Sequence, residues 1–190
     1  MSTLVFLLEE PSAREMLLGL IPRIVPDGVL VRYIPFEGKQ DMNRQIERKL
    51  RGWLMPNTRF IVLRDQDSGD CAQIKQALAQ LCANAGHGDA LIRIACHEIE
   101  SFYLGDLEAV ERALELHGVA ARQRNRKYRE PDRLNNASQE LVRLTDGGYQ
   151  KIVGSRAISP YLKLDGSNRS HSFNVLISGI QKVTNELIVA

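Results

Sequence analysis

No stretch of the sequence is apolar for long enough to span a bilayer. The apolar run from Leu4 to Leu8 is too short for a signal peptide's core, lacks a basic leader and runs straight into Glu9 and Glu10. Cysteine is scarce: Cys71, Cys82 and Cys96 are odd in number and have no C-x-x-C spacing, which argues against a disulfide framework and against a zinc site. A reduced, cytoplasmic setting without membrane contact is expected. Charge of one sign is also lacking, since 25 Lys and Arg stand against 23 Asp and Glu. Any binding of nucleic acid must therefore rest on local patches rather than on the whole molecule. Internal repeats and low-complexity tracts are absent as well, which leaves an ordinary globular chain. Its 190 residues, 44% of them hydrophobic, suffice for one core with a small appendage.

The first half alternates short apolar runs with longer amphipathic ones, the pattern of β-α units feeding a parallel sheet. Thr3 to Leu8, Val29 to Ile34, Arg59 to Arg64 and Leu91 to Ala95 are brief and rich in Val, Ile, Leu and Phe, as expected of strands covered on both faces. Ser12 to Ile21 places Met16, Leu17, Leu20 and Ile21 on one helical face, with Pro11-Ser12 as its start and Pro22 at its end. Gln40 to Trp53 and Cys71 to Ala85 repeat the three- and four-residue apolar spacing of amphipathic helices.

After residue 98 the texture is mostly helix and loop. Helical segments are expected around Glu98 to Tyr103, Asp106 to Leu116, Ser138 to Thr145 and Ser172 to Ile188. Gly147-Gly148, Gly154, Pro160 and Gly166 predict a loop region before the last helix.

Chemistry is expected where carboxylates follow the strands. Glu9 stands directly after the first strand, and Asp65-Gln66-Asp67 after the third, at the edge where open parallel sheets place their ligand sites. In an extended segment, Asp-x-Asp presents both side chains to one side. Three clustered carboxylates resist full ionisation unless a cation joins them, and hard oxygen ligands suit Mg²⁺ or Mn²⁺. The bland alternative is that these acids cap helices, with Asp67-Ser68-Gly69 a simple turn. Glu10 and Asp70 are weaker neighbours.

The fourth strand is followed by Cys96-His97-Glu98-Ile99-Glu100, where an imidazole joins two more carboxylates. His97, Glu98 and Glu100 can ligate a second metal, orient a water or serve as general acid and base; equally, the acids can simply face a helix dipole. Arg122, Arg124, Arg126, Lys127, Arg129 and Arg133 form the densest basic stretch, suited to phosphate contacts or to a solvated loop. Lys151, Arg156, Lys163 and Arg169, with His171, make a second polar region punctuated by glycine.

An apolar strand ending in Glu9, followed one β-α-β step later by a strand ending in Asp65 and Asp67, resembles the toprim domain of topoisomerases, primases and old-family nucleases. More closely, the chain resembles a small bacterial toprim-like family. Its members start with strand-V-E-G-x-T-E, carry a histidine-Glu-aromatic-Glu segment midway and end in a Phe-containing helix. The matching pieces are Leu8 to Ser12, His97 to Glu100 and Ser170 to Phe173, over nearly the full length. Glu10 and Pro11 replace the usual Gly and polar residue, and Ile99 replaces the aromatic.

The resemblance implies an α/β toprim-like parallel sheet over residues 1–105, with a helical and loop extension over 106–190 packed on it as one unit. It implies a Mg²⁺- or Mn²⁺-dependent nuclease in which Glu9, Asp65 and Asp67 hold the metal or Glu9 serves as base. His97, Glu98 and Glu100 would support the site, while Arg122, Arg124, Arg126, Lys127, Arg129 and Lys151 would grip DNA or RNA. Genes of that family often neighbour an ATPase of the ABC or overcoming-lysogenisation-defect type, which implies a two-component system with phage defence as a role. The alternative is a non-catalytic subunit that binds and regulates such an ATPase, and a homo-oligomer stays open in either case.

Overall fold

The computed structural model describes residues 2–189. Strand β1 (Thr3–Leu8) is buried at every position, because an unbroken apolar strand can only sit in the middle of a sheet covered on both faces. It pairs in parallel with β2 (Leu30–Pro35) on one side and β3 (Thr58–Asp65) on the other, and β4 (Leu91–Ala95) extends the sheet beyond β3. The order is therefore β2-β1-β3-β4.

Alternation along the strands splits the apolar side chains between two layers. Val5, Leu7, Phe60 and Val62 pack against α2 (Lys39–Arg51) and α3 (Cys71–Asn84) through Met42, Ile46, Leu50, Leu78 and Cys82. Leu4, Phe6, Leu8, Ile61 and Leu63 face the other layer. That layer holds α1 (Pro11–Leu20), α4 (Glu100–Leu104), α5 (Leu107–Ala113), α7 (Ala137–Leu144), α8 (Lys151–Ile158) and α9 (His171–Val189). Its core runs without a break from Leu4 to Leu187, so the C-terminal half covers one face of the sheet and forms one unit with the first half.

The expected strands are all present, with boundaries shifted by no more than one residue. The expected loop between residues 147 and 166 instead contains α8. Its glycine serves close packing rather than breaking the helix: a Cβ on Gly154 would stand 2.4 Å from the Tyr149 ring. Only Gly147 and Gly166 in this region adopt the left-handed backbone that glycine favours. Helix α8 lies along α1, where Arg156 donates to Glu15 at 2.7 Å. The basic stretch is likewise ordered, as a 3-10 turn over Ala120–Arg124, the short α6 (Arg126–Arg129) and a turn over Pro131–Arg133.

Among the described residues no helix is long and apolar enough to cross a membrane. The chain leaves β1 to build β2 on one flank, then returns past β1 to build β3 on the other. That reversal puts the switch point, where open α/β sheets have the crevice that takes their ligands, at the C-terminal ends of β1 and β3.

Candidate functional site

Glu9 and Asp65 stand on the two lips of this crevice. The Asp65 backbone N–H donates to Glu9 Oε2 at 3.0 Å, and Arg64 Nε lies 3.7 Å from the same oxygen, so Glu9 is held across the β1–β3 gap. Asp65, the last residue of β3, continues the Ile61–Leu63 alternation and points into the layer of α1, α4 and α8. It is 7% exposed, and its buried Oδ1 has no hydrogen-bond partner among the described residues.

The expectation that Asp65 and Asp67 present to one side is not met, because the backbone does not stay extended. Asp67 turns into the left-handed region (φ 53°), and its carboxylate pairs with Lys39 Nζ at 2.8 Å, at the start of α2 on the opposite face of the sheet. Glu9 lies between the two aspartates. Burial raises its pKa first, the Asp65 N–H opposes that, and repulsion from Asp67 adds to it.

The segment after β4 divides its roles. His97 is also left-handed (φ 58°) and locks against Asp67: the Asp67 N–H donates to the His97 carbonyl at 2.8 Å, and His97 Nδ1 meets the Asp67 carbonyl at 3.1 Å. A carbonyl only accepts, so Nδ1 carries a proton and donates it to Asp67. Two left-handed non-glycine residues cost on the order of 1 kcal/mol each, a strain typical of sites whose geometry matters. Glu98 accepts the Ser138 backbone N–H at 2.7 Å, which makes it the cap of α7 rather than a free acid. Helix α4 then begins only at Glu100, two residues later than the sequence pattern predicts.

Glu100 is fully buried. Its Oε1 accepts from Tyr149 Oη at 3.0 Å, and its Oε2 has no partner. Burial raises its pKa, against the opposing effects of Lys151 and the Tyr149 hydroxyl. Asp65 is held well above the usual carboxylate range by burial first and then by repulsion from Glu100, Glu10 and Glu9. Glu10 accepts from Ser12 Oγ at 2.8 Å and lies 3.4 Å from Lys151 Nζ. Burial alone would lower the Lys151 pKa, but Glu100, Glu10 and Asp65 outweigh it and raise it.

Lys151 thus belongs with the acids and not with the basic stretch. The remaining members of that second polar region scatter: Arg156 to Glu15, Lys163 to Glu108, Arg169 to the far side of α4. Within the basic stretch Lys127 is neutralised by Glu140, whereas Arg122, Arg124, Arg126 and Arg129 have no carboxylate within ion-pair distance among the described residues. Asp70 is simply the cap of α3, accepting from the Gln73 N–H at 2.8 Å.

The structure therefore assembles a different acid set from the one the spacing suggests. Asp65 and Glu100 form its buried floor, Glu9 and Glu10 its rim, and Asp67 stands apart on Lys39. Among the described residues no three His, Cys, Asp or Glu side chains surround one point in the arrangement that holds a metal ion. The donor set is nonetheless of the hard-oxygen type, and two buried carboxylate oxygens lack partners, the chemistry a divalent cation satisfies. Tyr149 had no signal in the sequence, since it sits between glycines that read as a loop; Glu10 did, as the neighbour of Glu9.

A doubly wound parallel sheet flanked by helices, with carboxylates at its switch point, makes the chain an α/β protein of the open-sheet type. A family model described as Domain of unknown function (DUF4276) matches residues 8–181, and the chain belongs to that family. No curated protein and no solved structure matches the chain.

Proposed function

We propose that the chain is a Mg²⁺- or Mn²⁺-dependent phosphodiesterase that cleaves a nucleic acid at the β1–β3 crevice. The observation that supports this most is the pair of partnerless buried oxygens, Asp65 Oδ1 and Glu100 Oε2, at the ligand-binding edge of the sheet. Burying two carboxylates that each leave one oxygen unsatisfied is costly, and a site that accepts this cost has a use for those oxygens.

Asp65 and Glu100 would hold the cation, with Glu9 and Glu10 on the rim beside them and solvent filling the rest of its shell. The ion, when bound, supplies Lewis-acid polarisation of the phosphoryl oxygens and of the leaving oxygen. Lys151 orients or neutralises a phosphate next to Glu10, and Lys39 releases Asp67 when a phosphate takes its place. His97, held by its two backbone contacts with Asp67, would serve as the proton relay.

A second reading has its own support. Lys39, Arg64 and Lys151 stand against the carboxylates as counter-charges, as they would in a partner subunit that docks on an ATPase and uses the acids only for structure. The test is cleavage of plasmid DNA and of structured RNA with Mg²⁺ or Mn²⁺, alone and with an ATPase encoded beside it. Cutting by wild type that is lost in Asp65→Asn and Glu100→Gln supports the nuclease. Failure to cut either substrate under every condition removes the nuclease and leaves the partner reading.

A further inference from the structure

Three of the arginines that have no carboxylate partner among the described residues lie together. Arg124, Arg129 and Arg169 line one surface pocket together with Ala120 and Gln123. By contrast, Lys127 and Arg133 of the same stretch, and Lys163 beside Arg169 in an adjoining pocket, are ion-paired. Three guanidinium groups converging without an anion repel one another, and phosphate is the anion whose geometry their forked donors fit best.

The pocket is built rather than draped. Its floor is Gln123, whose Nε2 donates to the Leu104 carbonyl at 3.1 Å and to the Tyr128 carbonyl at 2.7 Å while its Oε1 accepts the Leu107 N–H at 2.8 Å. That one amide ties the 3-10 turn to the end of α4, the start of α5 and α6. Arg129 Nε donates to the Arg124 carbonyl at 3.0 Å, which fixes one guanidinium plane and leaves its terminal nitrogens free to face a ligand. Arg169 is clamped through its backbone: its N–H donates to the Gly105 carbonyl at 2.9 Å, and it stands between buried Asn168 and Ser170. Gly105 allows that approach, since a Cβ there would lie 2.0 Å from Asn168 Oδ1.

We infer that Arg124, Arg129 and Arg169 form a phosphate-binding pocket for a nucleic-acid phosphate. The identification of the phosphate as part of a nucleic acid rests on the function proposed above; the phosphate chemistry does not. Gly105 closes α4 and Glu100 opens it, so the pocket and the buried acids lie at opposite ends of a helix about 8 Å long. A few nucleotides of single strand bridge that separation.

The experiment is fluorescence anisotropy of short 3′-labelled DNA and RNA strands in EDTA, with 5′-hydroxyl or 5′-phosphate ends and with inorganic phosphate as competitor. Working without metal keeps the carboxylate site out of the measurement. Arg169→Gln is expected to weaken binding about tenfold and to reduce the slope of log affinity against log salt by about 1. The triple variant Arg124→Gln/Arg129→Gln/Arg169→Gln is expected to lose binding altogether, while Arg133→Gln, a residue paired with Glu130, binds as wild type. All four positions are exposed, and the thermal transition checks that each variant folds.

Binding of both kinds of end identifies a backbone phosphate, and binding only of 5′-phosphorylated strands or inorganic phosphate identifies a terminal or free one; both uphold the pocket. Wild type that binds neither strands nor phosphate overturns it, as does a triple variant that binds like wild type. Asp65→Asn that still binds strands in EDTA but no longer cuts separates the two proposals, because the pocket then works where the acid site has failed.

Discussion

Replacing Asp65 by Asn should make the metal-free protein more stable while destroying its response to divalent cations. In wild type the Asp65 carboxylate is 7% exposed, its Oδ1 has no partner, and Glu100, Glu10 and Glu9 repel it. Asparagine keeps the shape and removes the charge, and with it the repulsion from Glu100, Glu10 and Glu9. Relieving one uncompensated buried charge is worth about 2 kcal/mol, or roughly 4–8 °C in Tm for a chain of this size. The pH dependence follows from the raised pKa of Asp65. Below the unfolded value near 4 the acid is protonated in both states and the variant gains nothing; as pH rises through the folded value, wild type loses stability that the variant keeps. The gap between them therefore opens with rising pH. Added Mg²⁺ at about ten times its dissociation constant should stabilise wild type by about 1.4 kcal/mol and the variant not at all. Differential scanning fluorimetry from mildly acid to alkaline pH, with EDTA or Mg²⁺, reads both effects. An Asp65→Asn protein that is less stable than wild type in EDTA and still gains stability from Mg²⁺ would refute the reasoning.

Other changes test the surroundings of the site. Glu15→Gln should cost about 1 kcal/mol at neutral pH by weakening the tie between α1 and α8; because Arg156 holds the Glu15 pKa below its ordinary 4.5, the deficit should vanish as pH falls through the folded value, as followed by urea unfolding at several pH values. Gly154→Ala should destabilise by about 1–3 kcal/mol, since its methyl collides with the Tyr149 ring and displaces the hydroxyl from Glu100; the chemical denaturation midpoint checks this. Asp67→Asn should leave Mn²⁺ affinity within about twofold of wild type in calorimetry, because Asp67 stands apart on Lys39; a loss of about tenfold or more would place Asp67 in the ligand set.

The sheet was legible in the sequence because each strand is a short apolar run with few competing patterns, and β1 and β4 match their expected limits residue for residue. Glu9 and Asp65 were legible too, since strand ends in a parallel sheet share an edge. The acid pocket was not, because its floor depends on long-range contacts: Glu100 meets Asp65 only after α4 folds back over the sheet, and Tyr149 reaches Glu100 across 49 positions of chain. Asp67 was misjudged for a local reason, as a left-handed turn after β3 carries its side chain to Lys39 on the other face. Helix α8 was hidden by Gly154 and Pro160, residues that usually break a helix and here permit its close packing on Tyr149 and its exit into the following turn.

The central claim is that the buried acids at the β1–β3 crevice hold a divalent cation. Crystals soaked in Mn²⁺ and measured for anomalous scattering test it most directly. An ion about 2.1–2.2 Å from carboxylate oxygens of Asp65 and Glu100, displacing Lys151 from Glu10, is the result expected. A crevice that stays without anomalous signal while Lys39 and Lys151 keep their ion pairs would contradict it.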